Sequence, residues 1–372
     1  MSNPQMTEGS AVSTADGGAA IRAPFRADHV GSFLRPARLR AAVENNDPDL
    51  AAIQDECVRE VVAMQAAAGL AVATDGEFRH ESWHNFLENL QGVTVIPPVI
   101  SGSTFIPRSY RIEGKLRHVR PIEVNNFRFL QSVTKATPKV TLASPTMLLR
   151  AGREGTSTQA YPDMEEFHAD VAAVYQAEIA ALAEAGSRYI QIDDTNFAYL
   201  CDPDLRDRIG GAELAERYIA LINAALLKAP AEVARTVHVC RGNAAGASAA
   251  KGAYEPIADV LLNTLSVDGY FLEYDDERSG GFEPLRFLPH GSKKKIVLGL
   301  VSSKRAEVES RDELKRRIDE ATRFVPLENL CISPQCGFGS TAKGKHPVSE
   351  DGQRRKLELL VETAREIWGS AA

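Results

Sequence analysis

Residues 162–194, PDMEEFHADVAAVYQAEIAALAEAGSRYIQIDD, read as one helix followed by one buried strand. Pro162 presets a first helical turn, and Phe167, Val171, Val174, Ala181 and Leu182 recur at helical spacing. Gly186 supplies the left-handed stop. A short apolar run, 189–192, then ends on two carboxylates, Asp193 and Asp194. The unit is strand, loop and amphipathic helix, and it repeats along the chain.

Working outward, strand-like runs fall at 25–30, 70–74, 139–143, 236–240, 269–274, 295–301 and 330–333, which makes eight with 189–192. Leu214, Tyr218, Leu221, Ile222 and Ala225 form a second helical face, and Leu357, Leu360, Val361, Ala364 and Trp368 the last. Eight short strands alternating with helices imply parallel pairing and closure into an α/β fold, a (β/α)8 TIM barrel. An open doubly wound sheet fits less well, because no glycine-rich dinucleotide turn follows a strand. The expected organisation is a mobile Ser/Ala/Gly-rich tail at 1–23 and one barrel domain at 24–372. An insertion at 91–135, after the second strand, carries Pro97, Pro98, Pro107 and Pro121 between β-rich pieces, as a hairpin-bearing segment would.

The composition excludes several classes. The 372 residues are 44% hydrophobic and 25% charged, with a net charge of −7. That supports a packed core and disfavours a nucleic-acid or anionic-membrane partner. No apolar run approaches the ~18 residues of a membrane span, and the N-terminus lacks a signal-peptide layout, so a cytoplasmic location is expected. Five cysteines, 57, 201, 240, 331 and 336, suit free thiols or metal ligands better than disulfides.

Barrels of this kind gather chemistry at the C-terminal ends of their strands. In order, those ends carry His29, Gly31 and Ser32; Asp75 and Glu77; Ser144; Asp193 and Asp194; His238 and Cys240; Glu273 and Asp275; Ser302, Ser303 and Lys304; and Cys336. His238 and Cys240 are two apart on one strand, hence on one face. With Glu273 and Cys336 they make a tetrahedral N/S/O set suited to Zn²⁺. The bland readings are a core His-x-Cys pair, an acidic run at 273–277 and a buried small hydrophobe. Zinc held by two thiolates and a carboxylate keeps one net negative charge. It is then a poor Lewis acid for carbonyls but well suited to stripping the proton from an incoming thiol. Such a site points to alkylation of a thiol.

Six ordered motifs carry a resemblance: ADHVGSF at 27–33, DGEF at 75–78, QID at 191–193, HVCRGN at 238–243, FLEYD at 271–275 and SPQCGF at 333–338. Together they resemble the catalytic barrel of cobalamin-independent methionine synthase, in its short single-barrel branch. The resemblance implies that His238, Cys240, Glu273 and Cys336 bind zinc and that homocysteine approaches it through sulfur. It implies a carboxylate subsite at the turn of His29, Gly31 and Ser32, and an ammonium subsite at Glu77 and Asp193. Helix capping by Glu77 and a satisfied strand end at Asp193 are the alternatives. The family histidine after the seventh strand is missing; Lys304 stands nearby as a candidate acid or anion contact, or as a solvated lysine. The implied partners are homocysteine and a methyl donor of folate or corrinoid type, with an oligomer allowed. A zinc enzyme acting on another thiol, as in epoxyalkane:coenzyme M transferases, and a barrel with a purely structural zinc are the competing readings. The GSTAKGKH segment at 339–346 departs from a phosphate loop, since His346 stands where Ser or Thr is required.

Overall fold

The computed structural model describes residues 23–97, 99–101, 104–106, 109–149, 159–211, 213–242, 250–339 and 346–372. Residues 1–22 of the tail expected at 1–23, and 340–345 of the phosphate-loop-like segment 339–346, lie outside them. So do Pro98 and Pro107.

Six parallel strands stand side by side in chain order: Val140–Ala143, Tyr189–Asp194, Ala234–Val239, Gly269–Glu273, Lys295–Val301 and Leu330–Pro334. The ring continues through Val72–Ala73, which pairs in parallel with Thr137–Pro138 just ahead of the third strand. The first position is shorter than the sequence predicts. Only Ala27 forms a parallel bridge, to Ile332 of the last strand. Tight backbone bonds replace a longer ladder there: Asp28 N–H donates to Ile332 O at 3.0 Å and Ala27 N–H to Ala371 O at 2.9 Å. Between first and second positions, Thr74 Oγ1 donates to Gly31 O at 2.6 Å and Phe33 N–H to Gly76 O at 3.2 Å. The circuit is that of a TIM barrel.

Strand alternation splits the side chains into two sets. Ile190, Ile192, Val237, Val239, Leu272, Leu298 and Ile332 pack outward into the main core beneath the helices. Phe271, Val297, Cys331 and Val30 form a small cluster of their own, and register places Phe271 beside His238 and Asp193 beside His238. One face is therefore apolar shell, the other a lumen that turns polar toward the strand ends. Deeper down, Lys139 Nζ donates to Asp28 Oδ1 at 3.0 Å, both side chains fully buried, and lies over the Phe271 ring at 4.2 Å. Tyr189 Oη donates to the other Asp28 oxygen at 2.9 Å. Stranding either charge of such a buried pair costs about 3–5 kcal/mol.

The helices follow their caps. Met164–Glu184 starts at Asp163, whose carboxylate accepts Glu165 N–H, so Pro162 sits just before the helix rather than in its first turn. Phe167, Val171, Val174 and Leu182 are buried, and Gly186 follows at φ +103°. Glu350–Trp368 buries Leu357, Leu360, Val361 and Ala364. After the second strand, Gln91–Ile96 pairs antiparallel with Ser109–Arg117, and Val99–Ser101 with Thr104–Ile106. Val124–Val133, inside the stretch expected to be insertion, is instead a helix with Val124, Phe127 and Leu130 buried. Its 3-residue spacing is the helical signal there. Ala23 is buried with Phe25, Val72, Tyr189 and Ala234, so the packed chain begins no later than Ala23.

Candidate metal centre and substrate pocket

Three strand ends converge on one point. One ligand atom each from His238, Cys240, Glu273 and Cys336 lies within 4.8 Å of the others. Cys240 Sγ is 3.4 Å from Cys336 Sγ. Two sulfurs each ~2.3 Å from a tetrahedral ion stand about 3.8 Å apart, so the pair is close to the required edge. The His238 ring is buried and faces the Cys336 thiol, with Asp193 and Glu273 as its next charged neighbours. The donor set fits zinc chemistry: two sulfurs, one imidazole, one carboxylate. The two thiols are electrostatically linked. Cys336 is held well below the ordinary thiol range by the hydrogen bond from Cys240, and that same contact together with burial pushes Cys240 well above it.

The surrounding polar groups are equally arranged. Glu273 accepts Arg241 N–H at 2.6 Å through Oε1, while Lys304 Nζ donates to Oε2 at 3.3 Å. Gly242 N–H points at Cys240 Sγ at 3.3 Å. Lys304 is not a solvated lysine. Its side chain is 6% exposed, and although burial opposes the charge, Glu273 and the thiols raise its pKa above the usual lysine value.

Beside this candidate donor set lies a pair of carboxylates. Glu77 is buried at φ +61°, and Oε1 accepts from Thr141 Oγ1 at 3.3 Å while Oε2 has no partner. It caps no helix. Burial, and then the nearby Asp193 carboxylate, push its pKa up to about 8. Asp193 rises to about 7, again mainly through burial. Gln191 Nε2 steadies Asp193 Oδ1 at 2.7 Å and also reaches Val30 O at 2.6 Å. The adjacent Asp194 faces away, accepting Phe197 N–H at 2.9 Å and the Thr146 hydroxyl. Two neighbouring buried carboxylates, with Glu77 Oε2 left without a partner, are suited to receive a cation.

Ser32 closes the third side. A Cβ placed on Gly337, the residue after Cys336, would fall 2.0 Å from Ser32 Oγ. One placed on Gly31, at φ +144°, would meet Thr141 Cγ2 at 2.7 Å and Glu77 Oε1 at 3.5 Å. The Gly31-Ser32 turn thus touches both the thiol side and the carboxylate side. His29 does not join it. That ring is buried against Phe33 at 5.0 Å. Its pKa lies well below the usual value, chiefly through burial and then Lys139, with Gln65 and the Val72 backbone as its polar neighbours. Thr141 and Arg35 join the site without any motif that singles them out, whereas Gln191 opens the QID motif. Gln191 alone is reachable from the sequence, because it stands two residues before Asp193 on the same strand face.

Similarity to known proteins agrees with this geometry. Residues 29–365 match the catalytic domain of the cobalamin-independent synthases. The chain belongs to that family. As a cobalamin-independent synthase it is a methyltransferase of the B12-independent methionine synthase type, and its family works on small molecules. It is 40% identical over 364 residues to the uncharacterized protein YxjH of Bacillus subtilis (strain 168), covering 93% of this chain and 96% of that one. Methionine synthase of Saccharolobus solfataricus is 26% identical over 322 residues, 83% and 86% of the two chains. A Listeria monocytogenes structure, proposed as a vitamin-B12 independent methionine synthase, superposes with a TM-score of 0.75 at 35% identity. The match covers 94% of this chain and all of the Listeria chain. No helix among the described residues is long and apolar enough to cross a membrane.

Proposed function

We propose that this chain is a zinc-dependent S-methyltransferase that moves a methyl group onto the sulfur of homocysteine, forming methionine. The observation that carries the reading is the adjacency of two subsites: a His/Cys/Glu/Cys set within 4.8 Å, and the Glu77–Asp193 pair joined to it through Gly31 and Ser32. Zinc held by His238, Cys240, Glu273 and Cys336 would supply the acidity that keeps a thiol ionised at neutral pH. The chain's own residues do the rest. Glu77 and Asp193 receive the ammonium, and Ser32 and the Gly31 backbone receive the carboxylate. Lys304 offsets the negative charge of Glu273 and the two thiolates. The sulfur attacks the methyl carbon; a carbon–sulfur bond forms, and the donor leaves with the electron pair of the broken bond. The donor is of methyl-folate or methyl-corrinoid type, and the reaction takes place in the cytoplasm.

The test is a transfer assay with homocysteine against methyl-folate mono- and polyglutamate, methylcobalamin and an epoxide, on protein carrying about one zinc per chain. Methionine formed from a methyl donor supports the reading. Turnover only with a sulfonated thiol and an epoxide would assign an epoxyalkane:coenzyme M transferase instead, against the expectation that Glu77 and Asp193 repel a sulfonate. If X-ray absorption showed no new sulfur ligand with any thiol, the zinc would be structural.

A further inference from the structure

Arg35 follows the Gly31-Ser32 turn and is 4% exposed. Its guanidinium donates to three backbone carbonyls on two separate loops. Nη2 reaches Glu77 O at 2.8 Å and His80 O at 2.8 Å, on the turn after the second strand. Nη1 reaches Gly339 O at 2.7 Å, on the loop that carries Cys336. The same segment is stitched to both loops through its backbone: Phe33 N–H donates to Gly76 O at 3.2 Å, and Phe338 N–H to Ser32 O at 2.9 Å. Leu34 N–H is fixed by Gln353 Oε1 at 2.9 Å. A planar fork of donors suits such a task, because it holds several acceptors in one fixed geometry.

Glu77 needs holding. It occupies the left-handed region at φ +61°, where an L-residue is disfavoured, and such a conformation persists only when its surroundings over-determine it. Arg35 grips the peptide of Glu77 itself, and the other end of the grip is three residues past Cys336. We propose that Arg35 is a positioning residue that fixes Glu77 at the distance from Cys336 at which one amino acid can present its ammonium and its sulfur together. The proposal rests on the reading of Glu77 as an ammonium acceptor given above. Arg35 acts through Glu77, so it sets selectivity for amino-acid thiols over thiols that lack the amino group.

The experiment compares zinc-loaded wild type with Arg35→Lys and Arg35→Met, measuring the Kd of homocysteine and of 4-mercaptobutanoate, which lacks the amino group. Zinc content and thermal unfolding are read in parallel. Homocysteine should bind about tenfold more weakly to the variants, the scale of one lost charge-assisted hydrogen bond, while 4-mercaptobutanoate and zinc content stay unchanged. Adding Arg35→Lys to Glu77→Gln should cost nothing further, since both act on one contact. Equal weakening of both thiols, or no change in either, overturns the proposal. Arg35→Lys keeps a cation in place and carries the test should Arg35→Met fail to fold. A wild type that binds both thiols alike would refute the ammonium reading of Glu77, an outcome visible before any Arg35 variant is made.

Discussion

Cys240 and Cys336 are 96 residues apart in the chain and 3.4 Å apart at their sulfurs. Barrel closure alone brings them together, since one ends the fifth strand and the other follows the eighth. An ion bound between them would tie the last strand to the middle of the barrel, at a site that only the folded chain assembles. Zinc should therefore stabilise the wild type by about 2.7 kcal/mol at a hundredfold excess over its Kd. Cys336→Ser should lose most of that response together with methyl transfer. Thermal unfolding with and without zinc reads the difference, and a Cys336→Ser protein with full zinc response and full turnover would refute the assignment.

Lys304 faces Glu273 Oε2 and is almost wholly buried. Its charge repels a cation but favours a thiolate arriving at the same centre. Lys304→Met should therefore retain zinc at least as tightly as the wild type. The substrate thiol is what should respond. A neighbouring opposite charge commonly lowers the pKa of an acid by about 1–3, so without Lys304 the thiol-dependent turnover should move about one pH unit toward alkali. The pH profile of kcat/KM at fixed zinc occupancy checks this, and an unmoved profile would remove Lys304 from the mechanism.

Much of this is legible in the sequence, for reasons that can be named. His238 and Cys240 share a strand face by simple alternation, and a barrel puts the ends of its strands on one rim, so the convergence of the candidate metal set follows from pattern. The strands at 295–301 and 330–334 read well because they are apolar on both faces. The first strand reads poorly: residues 25–30 look β-like, yet closure there uses one bridge at Ala27 and a few loop bonds, which leave no periodic trace. The helix at Val124–Val133 is hidden by the proline-rich stretch before it. His29 resembles a site residue because it neighbours Gly31 in sequence, but alternation turns its ring away. Arg35 leaves no signal at all, since its acceptors are backbone carbonyls and any sequence supplies those.

Gly337 has no positive φ to explain it; the reason for glycine is the space that Ser32 takes. A methyl group there would stand 2.0 Å from Ser32 Oγ. Gly337→Ala should displace Ser32 and weaken homocysteine binding by about tenfold, the worth of one polar contact to a carboxylate. Zinc content should hold, because Cys336 itself is untouched. Equilibrium binding alongside metal analysis separates the two, and unchanged binding would remove Ser32 from the carboxylate subsite.

Glu77 gives the pH dependence its sign. In the folded protein its pKa stands near 8, raised by burial and by Asp193, against 4.5 for an ordinary glutamate. The folded state thus holds a proton that the unfolded chain releases, and stability from this group is present below pH 4.5 and lost as pH rises to 8. A separation of one pH unit between folded and unfolded values is worth about 1.4 kcal/mol, so the loss is a matter of kcal/mol rather than tenths. Glu77→Gln removes the titration while keeping the shape. The variant should unfold at the same temperature as wild type near pH 4.5 and at a higher one about pH 9, in the absence of thiol. Homocysteine should reverse the ranking at pH 8, because its ammonium rewards the ionised carboxylate and finds only an amide in the variant. Binding to the wild type should also release protons to the buffer at neutral pH, measurable as a buffer-dependent calorimetric enthalpy. A Glu77→Gln variant that tracks the wild type at every pH would mean that Glu77 is already ionised and paired, and that the ammonium is held elsewhere.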